Sequence, residues 1–252
     1  MSRLRPLLLI LVLMAAWELA ARSGLWSPLV LPSLERIGRE LVLFLSRPEG
    51  WMQAWVSLYR AFGGFAAAAL VGALLGMLMG RSALVGRMLD PLFSGTYAVP
   101  KLALFPVFIF IFGLGSLSKV ALIFLECLYP MVIITSQGAR AVDPVLIWSA
   151  QNMGASRAAT LRRVLLPATM PYVFAALRVA LPVALIVVII TEMISSVDGL
   201  GYVVIYSLAS LRTDRMLAIV VVIAALGLAL DRALVAARDR LVYWEKLDTY
   251  FA

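Results

Sequence analysis

Hydrophobic residues in this chain gather into runs long enough to cross a lipid bilayer, and arginines collect in the short stretches between them. A helix needs about 20 mostly apolar residues to span the hydrocarbon core. The pattern predicts six crossings, at residues 7–21, 58–79, 90–112, 120–134 and a little beyond, 171–194 and 216–234. The first starts behind Arg3 and Arg5 like a signal peptide, yet no Ala-x-Ala cleavage site follows, so it reads as an uncleaved span. Pro28 and Pro32 then break the helix. Within residues 33–46, Leu34, Ile37, Leu41 and Phe44 fall on one helical face while Glu35, Arg36, Arg39 and Glu40 fall elsewhere. That is the pattern of a helix lying along a membrane surface.

Along the second crossing Gly64, Ala68, Gly72, Gly76 and Gly80 recur every four residues. In lipid, where hydrophobicity gives helices no net reason to associate, such a stripe lets two backbones approach closely. The third crossing is interrupted by Pro100 and Pro106 with Lys101 between them. The freed carbonyls and the ammonium need protein or water, so Lys101 either faces a solute pathway or snorkels to the interface. Residues 113–119 read as a tight turn, and Glu126 with Pro130 falls inside the fourth crossing.

Between the fourth and fifth crossings lies a polar island, residues 141–167, carrying Arg157, Arg162 and Arg163. Asp143 suits an N-cap with Pro144 at the first helical position, and Gly154 suits the residue past the helix end. Ser156 can cap a second short helix that Pro167 closes. The result is a helix–turn–helix knob with small residues, Ser149, Ala150, Gly154, Ala155 and Ser156, at its centre. Small side chains admit close approach by another protein; the plainer alternative is an ordinary basic loop.

Residues 148–167 resemble the EAA loop of binding-protein-dependent ABC importer permeases: Glu-Ala-Ala, three residues, Gly, nine residues, Ile, any residue, Leu-Pro. Gly154, Val164, Leu166 and Pro167 stand at the required spacing. Gly154-Ala-Ser-Arg157 and Leu166-Pro-Ala-Thr-Met-Pro-Tyr172 are similar to the nitrate/sulfonate/taurine-type branch, and Arg178, Glu192 and Gly199-Leu-Gly201-Tyr202 extend the match. Trp148 and Ser149 depart from the pattern, with only Ala150 keeping the second alanine. The family's acidic residue is thus replaced by an indole.

Composition narrows the alternatives. The chain has 252 residues, 63% apolar, with mean hydropathy +0.98, well above a soluble domain. Its net charge of +8 is carried in loops flanking apolar runs, which fits membrane topology and anionic headgroups better than nucleic acid. No histidine occurs, removing the commonest general base and metal ligand, and the single Cys127 permits no internal disulfide. None of Lys101, Lys119 and Lys246 follows a glycine, so no phosphate loop exists. Gly199-Leu-Gly201 reads as a two-glycine turn rather than a dinucleotide motif. A nucleophile–base pair is conceivable only from Ser116 or Ser118 with Lys119.

In the fifth crossing Arg178 and Glu192 lie fourteen residues apart, near four helical turns, and so point nearly the same way with Leu185 between them. At ~1.5 Å per residue they are about 20 Å apart and cannot pair with each other. Each needs a partner, for which Lys101 and Glu126 are candidates. Either the two charges line a translocation face or they lock helices together.

The expectation is an all-α polytopic membrane protein of six crossings. Residues 1–57 would form an anchor with an interfacial helix, 58–236 the permease core with its loop at 141–167, and 237–252 a charged tail. The chain should have no catalytic or metal site. Six crossings put both termini on one side, and the modest excess of arginine and lysine in the segments there, Arg3 and Lys246 among them, makes it the cytoplasm. The resemblance implies a bacterial inner-membrane permease that pairs with a second permease copy. It also implies a separate ATPase that binds ATP and Mg and docks at 148–167, an extracytoplasmic solute-binding protein, and contact with membrane lipid but no nucleic acid. Pathway candidates are Lys101, Glu126, Arg178, Leu185 and Glu192. An ion-coupled secondary transporter is the alternative; it would use Glu126 as a proton site.

Overall fold

The computed structural model describes residues 4–244, and every regular element among them is helical. In chain order these are α1 (Leu4–Arg22), α2 (Leu34–Ser46), α3 (Pro48–Arg81), α4 (Ala83–Gly95), a 3₁₀ turn (Lys101–Leu104) and α5 (Phe105–Phe112). There follow α6 (Ser116–Ala141), α7 (Pro144–Asn152), α8 (Arg157–Thr160), a π turn (Leu161–Leu165), α9 (Leu166–Ser195), α10 (Leu200–Ala209) and α11 (Thr213–Leu241). Among the described residues, four helical stretches are long and apolar enough to cross a membrane: Pro48–Arg81, Ser116–Ala141, Arg157–Ser195 and Thr213–Leu241. Arg3 and Lys246, assigned to inward-facing ends from sequence, lie outside the described residues.

The described residues divide into two compact units, the first made of residues 4–58 and 189–226. Its core gathers Phe44, Ala54, Leu200, Val203, Val204, Ile219 and Val222. The amphipathic pattern of residues 33–46 does form a helix, α2, but Ser33 does not cap it. Glu18 of α1 accepts the Leu34 amide at 2.8 Å instead. A carboxylate at that end also complements the helix dipole.

The second unit comprises, among the described residues, 59–188 and 227–244. Within it the glycine stripe of α3 lies along α6. A Cβ added at Gly64, Gly72, Gly76 or Gly80 would meet the Cβ of Ile123, Met131, Thr135 or Ala139 respectively at 2.5–2.7 Å. Ala68, in the same stripe, is fully buried. The helices touch backbone to backbone, which only small residues permit.

Four sequence expectations need correction. The crossing read at 90–112 is not one helix: it is α4, an irregular stretch at 96–100, a 3₁₀ turn and α5. Pro100 accounts for the break, since its ring disfavours helical backbone at Val99. Pro167 closes no helix; α8 continues through the π turn into α9, and Leu166 donates to the Leu161 carbonyl one residue further back than an α-helix would. That wider turn stands just ahead of Pro167, which has no N–H to donate. Gly199-Leu-Gly201 opens a helix, α10, rather than a bare turn. The turn at 113–119 is confined to 113–115, and Lys119 belongs to α6.

Candidate functional site

The knob between α6 and α9 is built by its caps. Asp143 Oδ1 accepts the Val145 amide at 2.8 Å, with Pro144 in the first turn where a missing N–H does no harm. At the other end of α7 the Ala155 amide bonds to the Ala150 carbonyl at 3.0 Å and the Gly154 amide to that of Gln151 at 2.9 Å. This is a Schellman closure, and it requires left-handed backbone at Gly154, where φ is +83°. Ser156 Oγ then accepts the Ala159 amide at 3.2 Å and starts α8.

The inner side of the knob is apolar and closed: Val142, Ile147 and Leu165 pack with Val164 and Ala168. Ala150, the alanine that keeps the motif, is buried, while Ser149 is exposed. The outer side is open. Met153 is 82% exposed and Trp148 61%, with Val145, Leu146 and Leu161 also bare. Arg157, Arg162 and Arg163 are all exposed, Ser156 is exposed, and Ala155 and Pro167 are half-buried. A bare apolar face ringed by guanidiniums is unusual on a water-facing element unless another surface covers it. The Arg140–Asp90 ion pair, 3.4 Å, ties the end of α6 to α4 beneath it.

Most intramembrane polar candidates are already partnered. Lys101 is buried and its Nζ donates to the carbonyls of Tyr97 (3.1 Å) and Val99 (3.2 Å), in the irregular stretch that follows α4. The ammonium also sits 4.0 Å from the centroid of the Tyr129 ring. The groups freed by the break thus satisfy one another. Arg178 does not turn to Lys101 or Glu126; its Nε donates to Asp231 Oδ1 of α11 at 3.1 Å in a half-exposed pair. Leu185 packs against the Gly227 position. Glu126 is half-buried and forms no ion pair among the described residues.

Arg178 and Glu192, which point nearly the same way by spacing, stand in different surroundings. Arg178 is exposed, whereas Glu192, in the first unit, is fully buried. Its Oε2 accepts Ser57 Oγ at 2.7 Å and the Gly201 amide at 3.0 Å. The Ser57 hydroxyl in turn accepts the Leu200 amide at 2.7 Å, and Gln53 Oε1 accepts that of Gly199. Three consecutive backbone donors at the start of α10 are therefore held by side chains of α3 and α9. A carboxylate there is favoured by the helix dipole. Gly199 has φ +94°, and a side chain on it would strike the Glu192 carboxylate. Ser57, Gln53 and Asp231 carried no signal in sequence beyond being polar within apolar stretches.

The conceivable serine–lysine pair is not assembled. Lys119 Nζ donates to the Leu114 (2.9 Å) and Gly115 (3.3 Å) carbonyls, Ser118 donates to Gly115, and Ser116 accepts from Arg60.

Residues 56–242 match the family model of the binding-protein-dependent transport system inner membrane component. The chain is 36% identical over 239 residues to the taurine transport system permease protein of Escherichia coli (strain K12), covering 92% of this chain and 86% of that protein. It is 31% identical over 239 residues to the bicarbonate transport system permease protein of Synechococcus elongatus, covering 91% and 86%. With apolar membrane-length helices, a capped knob bearing the Gly154-to-Pro167 spacing and relatives of this breadth, the chain belongs to the permeases of the binding-protein-dependent ABC importers, in their nitrate/sulfonate/taurine-type branch.

Proposed function

We propose that the chain is the translocation subunit of an ATP-driven importer and works as a homodimer, with both termini cytoplasmic. The long helices, α1 and the broken α4–α5 segment would supply six crossings, and residues 148–167 would seat in a cleft of a separate ATP-binding subunit. An extracytoplasmic binding protein would deliver a small oxyanion-bearing solute, the class to which the named solutes of the relatives belong. Glu126, half-buried without an ion pair among the described residues, is the candidate to meet water or solute along the path.

One observation carries this reading: the outer face of the knob exposes Trp148 and Met153 beside three arginines, on a scaffold continuous with a membrane helix. A force applied to α7 and α8 passes through the π turn into α9 without a flexible joint, so closure of an ATPase pair would move the membrane helix as a body. The test is uptake into proteoliposomes containing the permease, its ATP-binding subunit and its binding protein, with taurine, an alkyl sulfonate or bicarbonate outside and ATP within. Uptake should require ATP, and Gly154→Arg should abolish it while leaving membrane insertion intact. Uptake that persists without the ATP-binding subunit would indicate ion coupling instead.

A further inference from the structure

A cavity of about 590 Å³ lies within the first unit, walled by the end of α2, the first turns of α3, α10 and the start of α11. Its volume is in the range of sites that hold small organic ligands. Three arginines line it, Arg47, Arg212 and Arg215, against two carboxylates, Glu40 and Glu49. Arg212 is engaged by Glu40 at 2.6 Å and by Asp214 at 3.4 Å. Among the described residues no carboxylate lies within ion-pair distance of the Arg47 or Arg215 guanidinium, and the only hydrogen bond from Arg215 to Asp214 uses its backbone amide.

Arg215 is half-buried and Arg47 exposed, and neither guanidinium has a carboxylate partner among the described residues. Guanidinium forks match phosphate oxygens bidentately, two donors to two oxygens, as they match a carboxylate. The phenol of Tyr206, also on the wall, adds a hydroxyl. The surroundings indicate where the oxyanion comes from. Leu45, Trp51 and Trp55 stand exposed on the same two helices, α2 and α3, and α2 is the amphipathic element. Exposed tryptophans beside an amphipathic helix mark the depth at which lipid headgroups sit.

We infer that this cavity is a phosphate-headgroup site, in which Arg47 and Arg215 hold the phosphate of a membrane phospholipid whose acyl chains run over the apolar surface of α2 and α3. A free oxyanion would use the same two guanidiniums, so the test must separate the sources. Full-length permease, delipidated in detergent, is titrated with phosphatidylglycerol, with diacylglycerol, or with inorganic phosphate and taurine, and bound species are counted by native mass spectrometry. One tightly retained phosphatidylglycerol per chain is expected, with no comparable retention of diacylglycerol. Its affinity should fall at least tenfold in Arg47→Gln and in Arg215→Gln and stay unchanged in Arg39→Gln, an exposed α2 arginine that does not line the cavity.

Wild-type protein supplies a second readout that does not depend on how the variants fold. Phosphatidylglycerol should protect Arg47 and Arg215 from phenylglyoxal, while Arg39 stays reactive. Protection by phosphate or taurine but not by the lipid would overturn the lipid assignment in favour of a free oxyanion site. Equal binding of diacylglycerol, or no protection by any of these, would overturn the site itself.

Discussion

The carboxylate of Glu192 lies 2.7 Å from the hydroxyl of Ser57, across 135 residues of sequence, and together they hold the first amides of α10. A buried carboxylate is expensive unless hydrogen-bonded, and here it doubles as the cap of a helix whose N-terminal donors would otherwise be orphaned. Glu192→Ala should therefore destabilise the purified permease by roughly 3 kcal/mol, because Ser57 and Gly201 lose their acceptor. Glu192→Gln, which keeps an acceptor oxygen, should lose clearly less. Equal losses in denaturant titrations of the two variants would show that the capping geometry is not what matters.

The glycine stripe gives a graded prediction. At Gly76 an added Cβ would stand 2.7 Å from both the Thr135 Cβ and the Val132 carbonyl oxygen, whereas at Gly63 the nearest atom is a Val120 methyl at 3.5 Å. Gly63→Ala should be silent, since 3.5 Å is ordinary contact. Gly72→Ala and Gly76→Ala should each destabilise by about 1–3 kcal/mol through overpacking, and the leucine variants should fail to accumulate in the membrane. Fluorescence-detected size-exclusion profiles with melting curves would check the order.

Lys101 is satisfied by the carbonyls of Tyr97 and Val99 and by the Tyr129 ring, contacts that hold the irregular stretch between α4 and α5. Lys101→Met should lower the melting temperature, through the loss of about 1–3 kcal/mol of charged hydrogen bonding and cation–π contact. The apparent KM for solute uptake should stay as it was. A changed KM with unchanged melting would place Lys101 on the path.

Arg178 and Asp231 form a half-exposed pair at 3.1 Å. Pairs of that exposure are worth at most about 1 kcal/mol. Arg178→Ala and Asp231→Ala should have small and similar effects on stability, and the exchange Arg178→Asp with Asp231→Arg should recover the loss. A double-mutant cycle measures the coupling directly.

Much of this architecture was legible in the sequence, and the exceptions have physical causes. Asp143, Gly154 and Ser156 act where local rules place them, because capping depends on a few neighbouring atoms. The stripe from Gly64 to Gly80 declared close packing by its period but could not name α6 as the partner, since pairing is a long-range fact. Pro167 misled for an instructive reason. Here the ladder just before it is π, with Leu166 bonded to Leu161, and the helix runs on, as it also does through Pro171 and Pro182 of α9. Arg178 and Glu192 shared a helical face by arithmetic, but periodicity says nothing of what stands opposite each turn; one met Asp231, the other Ser57. The start of α10 was hidden because Gly199 and Gly201 read as a turn when they are there to let backbone approach Glu192 and Ile189.

The knob remains the centre of the account, and retention of the ATP-binding subunit tests it most directly. Detergent-solubilised complex would be captured through a tag on the permease and the co-purified ATPase quantified, for wild type, Met153→Asp, Trp148→Asp and a control, Leu25→Asp, equally exposed but in the first unit. Burying a carboxylate in an apolar interface costs several kcal/mol. The two knob variants should therefore lose at least nine-tenths of the bound ATPase, and the control should lose none. Full retention in Met153→Asp and Trp148→Asp would contradict the assignment of residues 148–167 as the docking surface.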